Sequence, residues 1–414
     1  MTAGMRQARK CRMPLGGRLL GTVAAAAALS VGAAGAAPSA LAADVQSKQW
    51  YLNAMQAEEM WKVATGEGIK VAVIDSGVNP STPSLKGQVL KGFDATGVAG
   101  DAHDDYRGHG TTVAELIAGT GKGGGLKGLA PGAKVIPMRI TDTELQNTHS
   151  VNAHDTEDAI RAAADSDARI ISMSFSSEFP SREEREAVKY AESKGKLLFA
   201  AVGNDAKQGN KEQYPAAYPQ VVGVSSADRE GKVAEYSQHG SIVDIAAPGN
   251  DIPRWCDSTF QSYCDGDGGT SAATAIASAS AALVWSAHPD WTANQVLNVL
   301  FDTAGRDWEK GTLSKYLGHG LIRPSMNLLK GKGNPGAPDI SPLTKEKTPG
   351  SSPASTPASS QPEKKKEAAG ETAMAGSGKG QDDGSSLGLI LGGAAAVVVI
   401  GGGAFAVARK RRTA

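Results

Sequence analysis

Asp75, His109 and Ser271 stand in the contexts of this chain that best suit chemistry. Asp75 closes the run Val71-Ala72-Val73-Ile74-Asp75 and is followed by Ser76 and Gly77. An acid at the carboxyl end of a parallel strand lies where ligand sites of open α/β sheets collect, although such residues also cap turns. His109 lies in Arg107-Gly108-His109-Gly110-Thr111-Thr112, where a glycine on each side leaves the imidazole unobstructed at a helix start. Ser271 follows Gly268-Gly269-Thr270 at the head of an apolar helix. Unpaired N–H groups and the positive dipole end there favour an oxyanion beside the hydroxyl. Taken singly, the three read equally well as a strand-end cap, a structural histidine and a helix cap. Taken together they suit acyl transfer: a serine hydroxyl is a poor nucleophile unless a histidine takes its proton, and that histidine needs a carboxylate to fix its tautomer.

Such a triad is a weak catalyst without a donor for the developing oxyanion. Lys196 to Asp205 reads KLLFAAVGND, a strand running into Gly203-Asn204, and the Asn204 side-chain amide is the candidate donor, partnered by the Ser271 backbone N–H. The elements that must hold these residues are legible from periodicity. Apolar runs predict strands over Ile69–Asp75, Lys134–Ile140, Ala168–Phe175, Lys196–Val202, Val221–Ser225 and Ile242–Ala246. Between them helical patterns cover Thr111–Ala118, Thr156–Asp165 and Arg182–Ser193. Alternation of this kind predicts an α/β fold with a largely parallel sheet covered on both faces. Ala272–Ala287, nearly without charge and rich in small residues, predicts a helix through the core, and Thr292 with Gln295 predicts a capping box on the helix that follows.

The segments VAVIDSGV, RGHGTTVAELIAG and GTSAATAIASASAAL resemble the three catalytic signatures of subtilisin-like (S8) serine peptidases, in that family's chain order. The resemblance implies a subtilisin-like fold, with Asp75 as orienter, His109 as general base, Ser271 as nucleophile and Asn204 in the oxyanion hole. It also implies that Ser174, Phe175 and Ser176 pair with the substrate backbone. The family usually carries glycine where this chain has Ser176, so the shape of that subsite is left open. Gln49-Trp50-Tyr51-Leu52 and Ala57-Glu58-Glu59-Met60-Trp61, with the core, linker and terminal apolar run, resemble the mycosins, membrane-anchored subtilases linked to type VII secretion in actinobacteria. In that family the segment before Trp61 wraps the catalytic domain, and the stretch from Ala43 to the first strand is too short for a separate prodomain of usual size.

The ends of the chain set its expected location. Arg6, Arg9, Lys10, Arg12 and Arg18, an apolar stretch from Leu19 to Ala36 and the small residues Ala40 and Ala42 form a secretory signal over residues 1–42. The catalytic domain is expected over 43–330, and a Pro/Ser/Lys/Glu tether over 331–386. Leu387 to Ala408 is uncharged and long enough to cross a hydrocarbon core of about 30 Å, with the basic residues of 409–414 expected on the cytoplasmic side and the catalytic domain outside. Gly388 and Gly392 could support helix association. Cys256 and Cys264 are left as a pair in an exported domain, where a disulfide persists and would add about 2 kcal/mol by closing a short loop.

Lys and Arg number 43, as do Asp and Glu, without a basic face, so no nucleic-acid partner is expected. The other histidines (His103, His149, His154, His239, His288 and His319) lack metal-ligand spacing, so no zinc and no cofactor is expected. Asp257, Asp265 and Asp267 flank the cysteines as an acidic loop, read either as a border of the cleft or as a solvated turn. The expected function is a membrane-anchored serine endopeptidase that processes selected exported proteins. The alternative is a subtilase-shaped subunit that stabilises a type VII secretion complex in the membrane, its catalysis dispensable.

Overall fold

The computed structural model describes residues 45–149, 155–266 and 268–348. Two short helices, α1 (Trp50–Ala54) and α2 (Ala57–Trp61), precede strand β1 (Lys70–Asp75). Then come β2 (Phe93–Asp94), α3 (His109–Ala118), β3 (Lys134–Arg139), α4 (Thr143–His149), α5 (Thr156–Asp165) and β4 (Ile170–Met173). The chain continues through α6 (Arg182–Ser193), β5 (Leu197–Ala201), β6 (Val222–Ala227), β7 (Ile245–Pro248) and a small hairpin, β8 (Arg254–Trp255) with β9 (Tyr263–Cys264). Helices α7 (Thr270–Ala287), α8 (Ala293–Thr303) and α9 (Ser325–Leu328) complete it.

The main sheet has seven strands in the order β2-β3-β1-β4-β5-β6-β7, every pair parallel. Parallel strands joined by helical crossovers are buried on both faces, which is why these strands read as unbroken apolar runs. Alternate residues serve opposite cores. Val71 and Val73 face the layer of α3, α7 and α8, while Ala72 and Ile74 face that of α5 and α6. Helix α7 is buried almost throughout, and its run of Ala and Ser residues lets its backbone lie close against the sheet. The capping box forms at the head of α8, where Thr292 Oγ1 accepts from Gln295 N and the Gln295 side chain accepts from Thr292 N.

Register is what aims the sheet at a site. Asp75 pairs with Arg139, Ile74 with Met173, and Met173 with Ala200, so β1, β4 and β5 end nearly in step. Asp75, Ser174 and Asn204 therefore emerge along one carboxyl edge, and at β1 the chain switches from adding strands on one side (β2, β3) to adding them on the other (β4 to β7), which makes it the topological switch point.

Two expectations need correction. Residues 331–348, read from composition as the start of a flexible tether, lie folded on the catalytic domain. Asn298 Nδ2 donates to Pro335 O (3.2 Å), Asn294 Nδ2 to Pro338 O (3.1 Å) and Thr348 Oγ1 (2.6 Å), and Leu343 packs on the core. Side-chain amides of α8 satisfy the backbone of a segment too poor in apolar residues to fold alone, a partnership that composition cannot show. The stretch Thr141–Asp155, read as a surface loop, contains α4, headed by Asp142, whose Oδ1 accepts from Leu145 N (2.8 Å). No helix among the described residues is long and apolar enough to cross a membrane. The expected signal segment, the remainder of the tether, Leu387–Ala408 and the basic terminus all lie outside the described residues.

Candidate active site

Helix α3 begins at His109, and the backbone around it is set by close contacts. Gly108 has φ +79°, and a Cβ there would meet Asp257 O at 2.6 Å; a Cβ on Gly110 would meet Gly77 O at 2.1 Å. The flanking glycines thus serve backbone approach rather than clearance for the imidazole. Asp105, which sequence reasoning did not single out, organises the same turn. Its buried carboxylate accepts from Ser76 Oγ (2.8 Å), Arg107 N (3.0 Å), Gly108 N (2.8 Å), Thr111 N (2.8 Å) and Thr111 Oγ1 (2.6 Å). The available signal was an acid shortly before a helix start, where unpaired N–H groups need an acceptor.

Asp75 is 5% exposed, and its Oδ1 accepts from His109 Nδ1 (2.7 Å) and from Ser76 N (2.7 Å). With the proton on Nδ1, His109 carries its lone pair on Nε2, toward the cleft that its 39% exposed side chain lines. Burial disfavours the imidazolium, but the charge and hydrogen bond of Asp75, joined by the charge of Asp105, outweigh it and raise the His109 pKa above its ordinary 6.5.

Ser271 lies in the first turn of α7, its hydroxyl donating to Ser174 O over 3.4 Å. Asn204 follows β5, and its Oδ1 accepts from Thr270 N (2.9 Å) and Thr270 Oγ1 (3.1 Å). That pinning leaves the Nδ2 donors at the other end of the amide, on the cleft that Asn204 shares with Ser271 and His109. The fold therefore brings Asp75, His109, Asn204 and Ser271 around one opening.

Two adjoining cavities flank Ser271. The larger, about 870 Å³, is lined by Ser174, Phe175, Ser176, Ile140, Asp142 and the 79% exposed Phe179. Among the described residues no backbone partner takes up the N–H and C=O groups of Phe175 and Ser176, so this stretch offers an open edge to an extended peptide. Ser176 is exposed and is not among the residues with positive φ, so serine is accommodated there without left-handed backbone. The smaller cavity, about 510 Å³, lies between α3 and the hairpin β8–β9, closed by the Cys256–Cys264 disulfide. The acidic loop divides: Asp257 lines this cavity, Asp265 pairs with Lys48 (2.9 Å), and Asp267 lies outside the described residues.

Helix-start serine, a cleft-lining histidine bonded to a buried aspartate, and pinned asparagine form the arrangement that peptide-bond hydrolysis by acyl transfer requires. The model of the subtilase family, peptidase S8, matches residues 66–320. The chain belongs to the subtilase family. It is 33% identical over 280 residues to thermitase of Thermoactinomyces vulgaris, covering 65% of this chain and 95% of thermitase. To subtilisin E of Bacillus subtilis (strain 168) it is 34% identical over 261 residues, covering 62% of this chain and 65% of the relative. Among solved structures it is similar to the MycP3 protease from the type VII (ESX-3) secretion system, with 29% identity and a TM-score of 0.57 over 67% of this chain and 87% of that one. It is also similar to the serine protease MycP1, described as an essential component of the type VII (ESX-1) secretion system, with 29% identity and a TM-score of 0.58 over 70% of this chain and 90% of that one. This subtilase is thus a serine protease with a subtilisin-like α/β fold, and its solved neighbours include proteases of type VII secretion.

Proposed function

We propose that this subtilase is a membrane-anchored endopeptidase that processes selected exported proteins outside the cell membrane, in a type VII secretion setting. The observation that carries the catalytic part is the 2.7 Å His109–Asp75 hydrogen bond, placed on the cleft that Ser271 and Asn204 line. Ser271 Oγ turns from the Ser174 carbonyl toward His109 Nε2, gives up its proton and attacks the substrate carbonyl. Asn204 Nδ2 and the Ser271 N–H receive the oxyanion. His109 then passes the proton to the leaving amine, and water hydrolyses the acyl-enzyme by the same route. The acyl half of the substrate lies along Phe175–Ser176, and the leaving half enters the hairpin-side cavity. The uncharged run Leu387–Ala408 with its basic flank supports anchoring, and the likeness to MycP1 and MycP3 supports the secretion setting.

The test is comparison of the purified ectodomain with its Ser271→Ala variant. The wild type is expected to label with a fluorophosphonate probe and cleave peptides, and the variant to do neither. A wild-type ectodomain that never labels would sink the proposal. Mass spectrometry of secreted proteins from cells with active or substituted Ser271 then names the substrates.

A further inference from the structure

The hairpin β8–β9 contributes Arg254, Trp255, Cys256 and Asp257 to the wall of the smaller cavity, opposite Ser271 and Ala272. The other wall is α3, the helix that starts with His109. Two long-range bonds join these walls: Trp255 N donates to Thr112 Oγ1 (3.0 Å), and Tyr263 OH donates to Glu115 Oε2 (2.6 Å). Glu115 is fully buried, on the same helix as His109, and no step of hydrolysis uses it. Its other oxygen accepts from Thr82 Oγ1 (2.8 Å). The Tyr263 ring in turn stacks on Trp255, centroids 3.8 Å apart, so the position of Tyr263 sets that of Trp255. A buried carboxyl costs stability unless hydrogen bonds satisfy its oxygens, as those from Thr82 and Tyr263 do. Here they tie the catalytic helix to the hairpin across a separation of 148 residues.

The residues of the cavity floor indicate what it accepts. Val113, Leu116, Ile252 and Trp255 are buried apolar side chains that line it, with Arg254 and Asp257 among its polar lining. We propose that Glu115 is a positioning residue: through Tyr263 it holds Trp255 and the disulfide hairpin as one wall of a leaving-group subsite that takes a large apolar side chain just after the scissile bond. This rests on the reading that Ser271 is the nucleophile and Phe175–Ser176 the acyl side.

The experiment compares three substrates on the purified ectodomain. One is a peptide methyl ester, whose methanol leaving group is too small to fill the hairpin-side cavity; the other two are internally quenched peptides that differ in Leu or Gly after the scissile bond. Wild type should cleave the Leu peptide about tenfold or more better than the Gly peptide in kcat/KM. Glu115→Ala should bring that ratio down to about 2, through KM for the Leu peptide, while methyl ester hydrolysis stays within roughly threefold of wild type. Glu115→Gln keeps an acceptor for Tyr263 and should restore the ratio. If Glu115→Ala does not fold, Tyr263→Phe keeps the ring and removes the bond, and should lower the ratio in the same direction. An equal fall on all three substrates, an unchanged ratio in both variants, or a wild type indifferent to Leu against Gly overturns the assignment of Glu115. A wild type that hydrolyses none of the three overturns the catalytic reading itself.

Discussion

The two sides of the cleft are built by different means. The larger side is a product of the sheet: Ser174, Phe175 and Ser176 lie where β4 ends, and the register of β4 against β1 and β5 places them beside Asp75 and Asn204. The hairpin side owes nothing to the sheet ladder. It is held by a disulfide, one backbone bond to Thr112 and a tyrosine on a buried glutamate, all joining parts of the chain far apart in sequence or closed only by oxidation. Many backbone bonds resist any single substitution, whereas a side-chain clamp depends on a few atoms. The larger side should therefore be robust to mutation around it, and the hairpin side open to change at single residues.

Substitutions in the triad should not distinguish the sides. Asp75→Asn removes the acceptor that fixes the His109 tautomer and should lower kcat by about 10⁴ on short and extended substrates alike. In the wild type only the neutral imidazole is a base, and its pKa is raised, so kcat/KM should fall as pH drops through a midpoint above 6.5. A pH–rate profile on the peptide methyl ester checks this, and a midpoint below 6.5 would contradict the dominance of Asp75 over burial.

Asn204→Ala should cost about 10² to 10³ in kcat, again on both sides, with KM nearly constant. Unequal losses on short and extended substrates would mean that the asparagine also binds the leaving group.

Glu115 offers a thermodynamic test of the hairpin side. Burial pushes its pKa up to about 7, against bonds from Tyr263 and Thr82 that pull the other way. The fold therefore favours the protonated carboxyl. Stability from this group is fully present below its ordinary 4.5 and is lost as pH rises through about 7, a change on the order of 3 kcal/mol. Calorimetric melting of wild type and Glu115→Gln between pH 4.5 and 8 should show a shallower slope in the variant. Asp244, whose pKa burial also raises to about 7, leaves a residual slope of the same sign.

The smallest effect is expected at Ser176→Gly. With Ser176 exposed and its backbone outside the left-handed region, the substitution should shift KM for acyl-side substrates by only about two- to threefold and melting by less than about 1 kcal/mol. A large change would show that the hydroxyl, rather than the backbone edge, carries recognition.

Much of the fold was legible because its strands are short apolar runs and its helices have one apolar face. The patterns over Thr156–Asp165 and Arg182–Ser193 coincide with helices, and the strand runs with six of the seven sheet strands. The edge strand Phe93–Asp94 escaped because two residues carry no period, and the hairpin Arg254–Cys264 because its alternation is too short to register. Asp105 and Glu115 were passed over for another reason. In sequence an acid is an acid, and neither burial nor hydrogen-bond partners show until the chain has folded.

By itself the sequence determined which residue types stand at strand ends and helix starts, since glycine, small residues and apolar periodicity are local matters of sterics and burial. It also determined the family, because those local signatures are carried in a definite order. Only the tertiary structure decided that residues 331–348 belong to the folded domain, that the glycines around His109 answer to the carbonyls of Gly77 and Asp257, and that a buried glutamate joins the catalytic helix to a disulfide hairpin. Those outcomes depend on contacts between residues tens to more than a hundred positions apart, whose energies exist only once the sheet has set the distances between them.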